Sequence, residues 1–211
     1  NLLLNDFVTT DKKFYLNSPL IGSNFLLVIL TPLAYFEKLD EHVFKTISFF
    51  LIGIFGIFLL KKSKILLKKF RLKKGYKYNF EEKLIFIVIS LYFLISISPV
   101  THADSLGYHM LGAVNFLSNL NLLSEILPSE IKLVGPGELL IALGLSLGSE
   151  QLGGIIQFSS FFTIFYCFKE IKKNISSNLI LLATITTPTI ILLATTQKPQ
   201  LLHIANVLLC S

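Results

Sequence analysis

The feature that most constrains this chain is a series of long apolar runs with almost no internal charge. Each run is 17 or 18 residues long, and a helix needs about 20 predominantly apolar residues to span a bilayer. Only 15% of the 211 residues are charged, against about 25% in typical soluble domains. The sequence therefore predicts an all-α fold, a polytopic transmembrane helical bundle. Its clearest predicted spans are Leu20–Phe36, Val43–Leu60, Leu84–Val100 and Leu179–Thr196.

Two further apolar segments and two prolines refine this prediction. Gly153–Phe168 is expected to cross back to the inside, and Leu201–Ser211 is expected to begin another crossing. Pro32 and Pro188 fall inside apolar runs, where proline removes a helical hydrogen bond and predicts a kink. Because the chain has no initial Met and ends inside an apolar segment, we expect a C-terminally truncated piece of a longer protein.

A basic segment sets the expected orientation of the bundle. It contains ten of the 19 Lys and Arg residues: Lys61, Lys62, Lys64, Lys68, Lys69, Arg71, Lys73, Lys74, Lys77 and Lys83. Cytoplasmic loops are enriched in Lys and Arg, so Lys61–Lys83 is interpreted as a cytoplasmic loop rather than a nucleic-acid-binding surface. The predicted division is then residues 1–83, N-terminal transmembrane helices and the basic loop, and residues 84–211, a transmembrane core with an external loop at residues 100–137.

Polar residues are concentrated at the start of this external loop, between Pro99 and Met110. Ionisable side chains at the mouth of a membrane helix are costly to keep dry and usually mark a functional surface. After Asp104, apolar residues recur at three- and four-residue steps, which predicts a juxtamembrane amphipathic helix lying on the surface. Its predicted apolar face contains Leu106, Met110, Ala113 or Val114, and Leu117.

A second external element is expected at Glu138–Gly148, which is apolar but short. Eleven helical residues extend roughly 16 Å, about half the thickness of the hydrocarbon layer. We therefore predict a dipping or interfacial helix rather than a crossing. Glu138 at its N-terminus would complement the helix dipole, which is a purely structural role.

Asp104 admits two interpretations. Aspartate is a favoured N-cap residue, so Asp104 could simply begin the predicted helix. Alternatively, a carboxylate in partly apolar surroundings can have a raised pKa and act as a base towards a hydroxyl group. A divalent cation held by His102, Asp104 and His109 is a third alternative, although this spacing is not specific for metal ligands.

Cations on the expected external face are scarce, which draws attention to Lys132 and Lys198. Each could extend its ammonium group to lipid headgroups, a structural role. Each could instead bind an anion, most simply the phosphate of a lipid carrier. The turn that carries Lys198 is expected on the same face as Asp104. Asp104 is therefore the candidate catalytic residue, and the candidate substrate-binding residues are His102, Tyr108, His109, Glu138, Lys198 and Gln200.

The order of these segments resembles the GT-C superfamily of polytopic glycosyltransferases, in particular bacterial members similar to the dolichyl-phosphate-mannose-protein mannosyltransferases. Members carry an acidic residue just after a crossing, in the first large external loop, followed by a juxtamembrane helix; Asp104 to His109 occupies that place. Gly135–Leu140, the crossing that ends at Lys173 and the outward run to Thr196 follow the family's order. The chain departs from the family at Lys198-Pro199-Gln200, where relatives often have a second acid.

The resemblance implies an inverting transfer of a sugar from a polyprenyl-phosphate donor to an acceptor outside a bacterial inner membrane. Asp104 would deprotonate or orient the acceptor hydroxyl, and Lys198 and Lys132 would stabilise the departing lipid phosphate. The implied partners are the polyprenyl-phosphate sugar donor and membrane lipids. The rival interpretations are a transporter or flippase for a lipid-linked or anionic substrate, or a non-catalytic membrane subunit.

Overall fold

A computed structural model describes residues 10–35, 41–69, 79–119, 135–171 and 178–210. These residues are mainly helical, and they contain no strand. The predicted all-α class is therefore confirmed for the described part of the chain. The helices are α1 Thr10–Tyr35, α2 Glu41–Lys69, α3 Phe80–Ser96, a π-helical segment Ser105–Met110 that continues into α4 Leu111–Asn119, α5 Pro136–Ser146, α6 Leu152–Ile171, α7 Asn178–Ile185, α8 Pro188–Thr195 and α9 Gln200–Cys210.

The helix α2 extends further than its apolar run. The predicted span ended at Leu60, with a loop from Lys61, but the helix continues to Lys69. The predicted end of the helix is therefore wrong by nine residues, because Lys and Leu are good helix formers and nothing in this stretch breaks a helix. The cytoplasmic position of the basic segment stays a prediction. Residues 70–78 of the predicted basic loop lie outside the described residues.

The helix α3 begins and ends four residues earlier than its predicted span. Asn79 caps it: the Asn79 Oδ1 accepts a hydrogen bond of 2.8 Å from the Glu82 backbone N–H, and Glu82 Oε2 accepts one of 3.1 Å from the Asn79 N–H. This reciprocal capping box satisfies two N–H groups at the helix start. The helix ends at Ser96, so the polar segment that follows lies outside it.

The predicted kink at Pro188 is confirmed. The outward run is divided into α7 and α8, whose axes differ by 62°. Pro188 is the first residue of α8, the helical position where its missing N–H costs nothing. Pro32 and Pro19 instead lie within the single helix α1.

The core of the described residues is built around α6, which contacts α1, α3, α5, α8 and α9. The helix α5 packs beside it in a hairpin, and the turn between them uses Gly148 at φ 76°, a conformation that favours glycine at a helix C-terminus. The expected length of α5 is confirmed, since it has 11 residues. Every residue from Gly137 to Gly144 is buried among the neighbouring helices, and the dipping or interfacial position of α5 relative to a membrane stays a prediction.

Membrane association has coarse support from the structure. By length and composition, one helix of the described residues could cross a membrane, at Ser18–Tyr35 of α1, or two could if the bent pair α7–α8 is counted as one span. Large apolar side chains on the first three helices also face outward, including Phe25, Val28, Phe49, Phe50 and Phe86.

Close packing of α6 against the end of α3 depends on Gly154. A Cβ atom added at Gly154 would lie 2.5 Å from the backbone oxygen of Ser96, and backbone cannot move aside cheaply. We expect Gly154→Ala to lower the free energy of unfolding by about 1–3 kcal/mol through overpacking. The apparent melting temperature of the purified protein measures this effect.

Gly22 in α1 provides the matched control, because nothing lies within 4 Å of a Cβ added there. Gly22→Ala should be neutral or should stabilise the protein by up to about 1 kcal/mol, from the better helix propensity of alanine. Equal melting temperatures for the two variants would contradict the close contact at Gly154.

Candidate functional site

The polar residues singled out in the sequence converge at one end of the bundle. Here the end of α3 lies against the first turn of α6, and the connection between α8 and α9 contacts both α5 and α6. Glycines permit the close approach: a Cβ atom at Gly137 would overlap Pro199, and one at Gly153 would lie 2.9 Å from Gln197 Oε1. We call Asp104, Ser105, His109, Glu138, Gln197 and Lys198 the polar cluster.

The π-helical segment Ser105–Met110 presents the first members of the polar cluster. A helix was predicted here, and Met110, Ala113 and Leu117 of its predicted apolar face do pack against the core. Leu106 does not: it is 45% exposed, whereas Ser105 and His109 are buried in its place. The wider π-helical turn accommodates an extra residue and so changes which side chains face inward. Single π-helical turns are rare in proteins, and those that do occur often lie at functional sites.

Asp104 forms an ion pair with Lys198, 94 residues later in the chain. The Lys198 Nζ donates a hydrogen bond of 2.6 Å to Asp104 Oδ2, and the two side chains are 12% and 51% exposed, respectively. The structure thus places these two residues at the same end of the bundle, as the sequence predicted. The N-cap interpretation is wrong, because Asp104 has helical dihedral angles (φ −65°, ψ −36°) and its side chain makes no capping hydrogen bond.

The electrostatics of Asp104 also differ from the expectation. The Lys198 ammonium, through its hydrogen bond and its charge, lowers the pKa of the Asp104 carboxyl below its ordinary value. Partial desolvation acts in the opposite direction, and the nearby rings of His102 and His109 lower the pKa a little further. The predicted raised pKa was therefore wrong, because a cation outweighs the apolar surroundings. The carboxylate is ionised at neutral pH.

A second pair lies deeper in the polar cluster. His109 Nδ1 and Glu138 Oε1 are 2.7 Å apart, and both side chains are 7% exposed. The other Glu138 oxygen, Oε2, accepts a hydrogen bond of 2.8 Å from the Gly135 backbone N–H. Glu138 therefore has the predicted structural role at a helix N-terminus, and it also joins α5 to the π-helical segment. The second ring nitrogen of His109 is buried without a hydrogen-bond partner.

The remaining predicted site residues form no ion pair in the described part of the structure. His102 is half-buried, with no hydrogen-bond partner for its buried Nδ1. The Tyr108 ring is exposed and lies 4.3 Å from the neighbouring His109 ring. Gln200 is exposed at the start of α9 and belongs to no pair described here. Lys132 lies outside the described residues.

The metal-binding alternative has no support within the described ranges. They contain no group of three His, Cys, Asp or Glu side chains placed to hold a metal ion. Asp104 is engaged by Lys198, and His109 by Glu138.

Sequence reasoning missed two buried amides and a serine. The Gln197 backbone N–H donates to Ser105 Oγ at 3.2 Å, and its side-chain amide donates to the Glu150 carbonyl. Gln157 and Gln197 line a small cavity between α5, α6 and α9, where the Gln157 amide and Gln197 Oε1 have no partner. Gln157 could have been recognised from the sequence, because it places an amide inside the apolar run Gly153–Phe168 and an amide is costly to bury.

The two pairs differ in solvent exposure, and this difference determines which of them can bind a ligand. Lys198 offers a largely enclosed positive charge beside solvent, which suits binding of an anionic group. Asp104 offers a half-exposed ionised carboxylate, which can accept a hydrogen bond from a hydroxyl group. The buried His109–Glu138 pair fixes the helix that carries Asp104.

Comparison with known proteins identifies a sequence family. A family model described as the DUF1420 N-terminal domain matches residues 54–210, which is well over half of the chain. No curated protein and no solved structure matches the chain.

Proposed function

The chain belongs to the DUF1420 N-terminal domain family, and we propose that this member is a polytopic membrane glycosyltransferase. In this proposal it moves a sugar from a polyprenyl-phosphate donor to an acceptor at the external face of a bacterial inner membrane. The observation that carries the proposal is the Lys198–Asp104 pair, with a 2.6 Å contact between an anion-binding group and a hydroxyl-binding group.

The proposed orientation is supported by the position of α3. This helix has 17 residues and is therefore roughly 25 Å long, about 5 Å less than the hydrocarbon layer, a mismatch that local thinning of the bilayer accommodates. The basic segment precedes it, and the polar cluster lies beside its C-terminal end. Positive charge on one side and the paired polar residues on the other fit a helix that runs from the cytoplasm to the exterior.

The proposed reaction is a single displacement at the anomeric carbon. The acceptor oxygen forms the new bond to that carbon while the bond to the phosphate oxygen breaks, and the polyprenyl phosphate leaves. Asp104 accepts the hydrogen bond of the acceptor hydroxyl and receives its proton as the oxygen attacks. Lys198 stabilises the negative charge of the departing phosphate. A site at the bilayer surface lets the polyprenyl tail remain in lipid.

The experiment is transfer from radiolabelled polyprenyl-phosphate sugars in membranes that carry the full-length protein. Lys198→Ala is expected to reduce transfer about ten- to a hundredfold, because it removes the charge that stabilises the leaving phosphate. Lys198→Arg should retain part of the activity, since the charge is kept but the geometry changes.

Lys45 supplies the matched control, because it is also paired with a carboxylate, Glu41, at 2.5 Å, but on α2. Lys45→Ala should transfer sugar at the wild-type rate. Equal transfer by the wild type and both Lys198 variants would leave contact with lipid headgroups as the better account of Lys198.

A transporter or flippase is the second candidate, and one observation favours it. The central helix α6 carries buried polar side chains at three-residue steps, Gln157, Ser160 and Thr163. Polar groups along one face of a central helix are typical of substrate pathways in transporters. Movement of a lipid-linked sugar across vesicles, without formation of a glycosylated product, would favour this function over transfer.

A further inference from the structure

The two side chains of the Lys198–Asp104 pair differ in solvent exposure, and this difference decides which of them can move when a ligand binds. The Lys198 side chain is 12% exposed, whereas the Asp104 side chain is 51% exposed. Turning the carboxylate into solvent therefore moves a group that is already half-exposed, but it leaves the enclosed ammonium without a counter-ion unless another anion takes its place. Separating the pair by moving the lysine would require a largely enclosed side chain to leave its packing.

Among the residues that the structure describes, Lys198 is the one group that anchors the Asp104 carboxylate. It makes no capping bond to the helix, and the hydrogen bond that it accepts comes from the Lys198 Nζ. By contrast, the neighbouring residue Ser105 is buried and bonded to Gln197. The backbone at this point is therefore held in place while the carboxylate itself is held only by the ammonium group.

We propose that this pair is exchangeable: a phosphate anion binds the Lys198 ammonium in place of the Asp104 carboxylate and releases that carboxylate towards the acceptor. The proposal deepens the proposed function and rests on its assignment of Lys198 to the phosphate. A phosphate group offers more negative charge and more acceptor oxygens than a carboxylate, and lysine binds it as a point charge.

The exchange has a consequence for the chemistry of Asp104. While paired, its carboxyl has a lowered pKa and is a correspondingly weak proton acceptor. Once the phosphate has taken the ammonium, the pKa of Asp104 rises towards its ordinary value, and its basicity increases. Binding of the donor and activation of the carboxylate thus become one coupled event.

The test uses farnesyl phosphate, a short-chain polyprenyl phosphate, with the detergent-solubilised full-length protein. Because Asp104 competes with the phosphate for Lys198, Asp104→Asn should bind farnesyl phosphate roughly three- to tenfold more tightly than the wild type, a modest factor since the pair is partly exposed. Lys198→Ala should bind it more weakly. Unchanged or weaker binding by Asp104→Asn would overturn the exchange.

The double variant that combines Asp104→Asn with Lys198→Ala distinguishes exchange from simple repulsion between the Asp104 carboxylate and the phosphate. If Asp104 acts by occupying Lys198, its replacement should have little effect on affinity once Lys198 is alanine, so the two effects should be strongly non-additive. If Asp104→Asn tightens binding equally in both backgrounds, Asp104 only repels the anion and the exchange is wrong. Glu41→Gln, which removes a carboxylate from a distant ion pair, should leave affinity unchanged.

Two further ligands identify the source of the phosphate. Farnesol has the same tail without the anion and should show no effect of Asp104→Asn. Inorganic phosphate should show the effect with lower affinity if the ligand is a lipid phosphate, and with equal affinity if the site takes free phosphate. These binding measurements do not depend on transfer, so the exchange can hold even if every sugar donor fails and the glycosyltransferase proposal falls.

Discussion

Asp104→Asn is expected to reduce sugar transfer by two to four orders of magnitude while the folded protein keeps its normal abundance in the membrane. General-base catalysis typically contributes about 10²–10⁴-fold in rate, and an amide cannot accept the proton of the acceptor hydroxyl. The fold should tolerate the change, because Asp104 is half-exposed and does not cap the helix. Initial rates of transfer from a radiolabelled donor, normalised to protein abundance, measure the effect.

The control for Asp104→Asn is Glu41→Gln, which also converts a lysine-paired carboxylate to an amide, but on α2. This variant should transfer sugar at the wild-type rate. If the Asp104 variant did so too, Asp104 would be only the ion-pair partner of Lys198, and its catalytic assignment would be wrong. The same variant is expected to bind farnesyl phosphate more tightly, so loss of transfer cannot be explained by loss of the donor.

An all-or-none difference in thiol labelling is the second large effect that we expect. In a variant lacking both natural cysteines, Cys167 and Cys210, a cysteine at Thr101 should react in intact cells with a membrane-impermeant maleimide. Thr101 is exposed just beyond the C-terminal end of α3. A cysteine at Lys73, in the basic segment that precedes α3, should react only after the cells are permeabilised, because positive loops remain in the cytoplasm.

Each labelling outcome has a definite meaning. The reverse pattern would place Asp104 and Lys198 in the cytoplasm and would remove the proposed external acceptor. Labelling of both positions in intact cells would show that α3 does not separate two compartments. Permeabilised cells provide the control, because both cysteines must then react.

The sequence was most informative where the cause of structure is local. The bend at Pro188 follows from the geometry of proline itself. The length of α5 follows from the Gly135-Pro136 start and the glycine at position 148, which give the helix its two ends. The shared location of Asp104 and Lys198 was also predictable, because both follow outward apolar runs and so emerge at the same end of the bundle.

Long-range packing determines what the sequence could not reveal. Nothing local distinguishes the π-helical turn at Ser105–Met110 from an α-helix, so the predicted inward face was wrong at Leu106. The pairing of His109 with Glu138 depends on how α5 docks between other helices. The lowered pKa of Asp104 required a lysine 94 residues away at hydrogen-bond distance, which periodicity alone cannot supply.

The two oxygens of Glu138 have a mechanical consequence. One holds the Gly135 N–H at the start of α5 and the other holds His109, so a single rigid carboxylate connects two stretches of backbone. Because α5 is joined to α6 by the tight turn at Gly148, a displacement of the segment that carries Asp104 must be transmitted to the central helix. The backbone that carries Asp104 is therefore tied to α5 and α6, so we expect any movement of Asp104 to take place in its side chain rather than in its backbone.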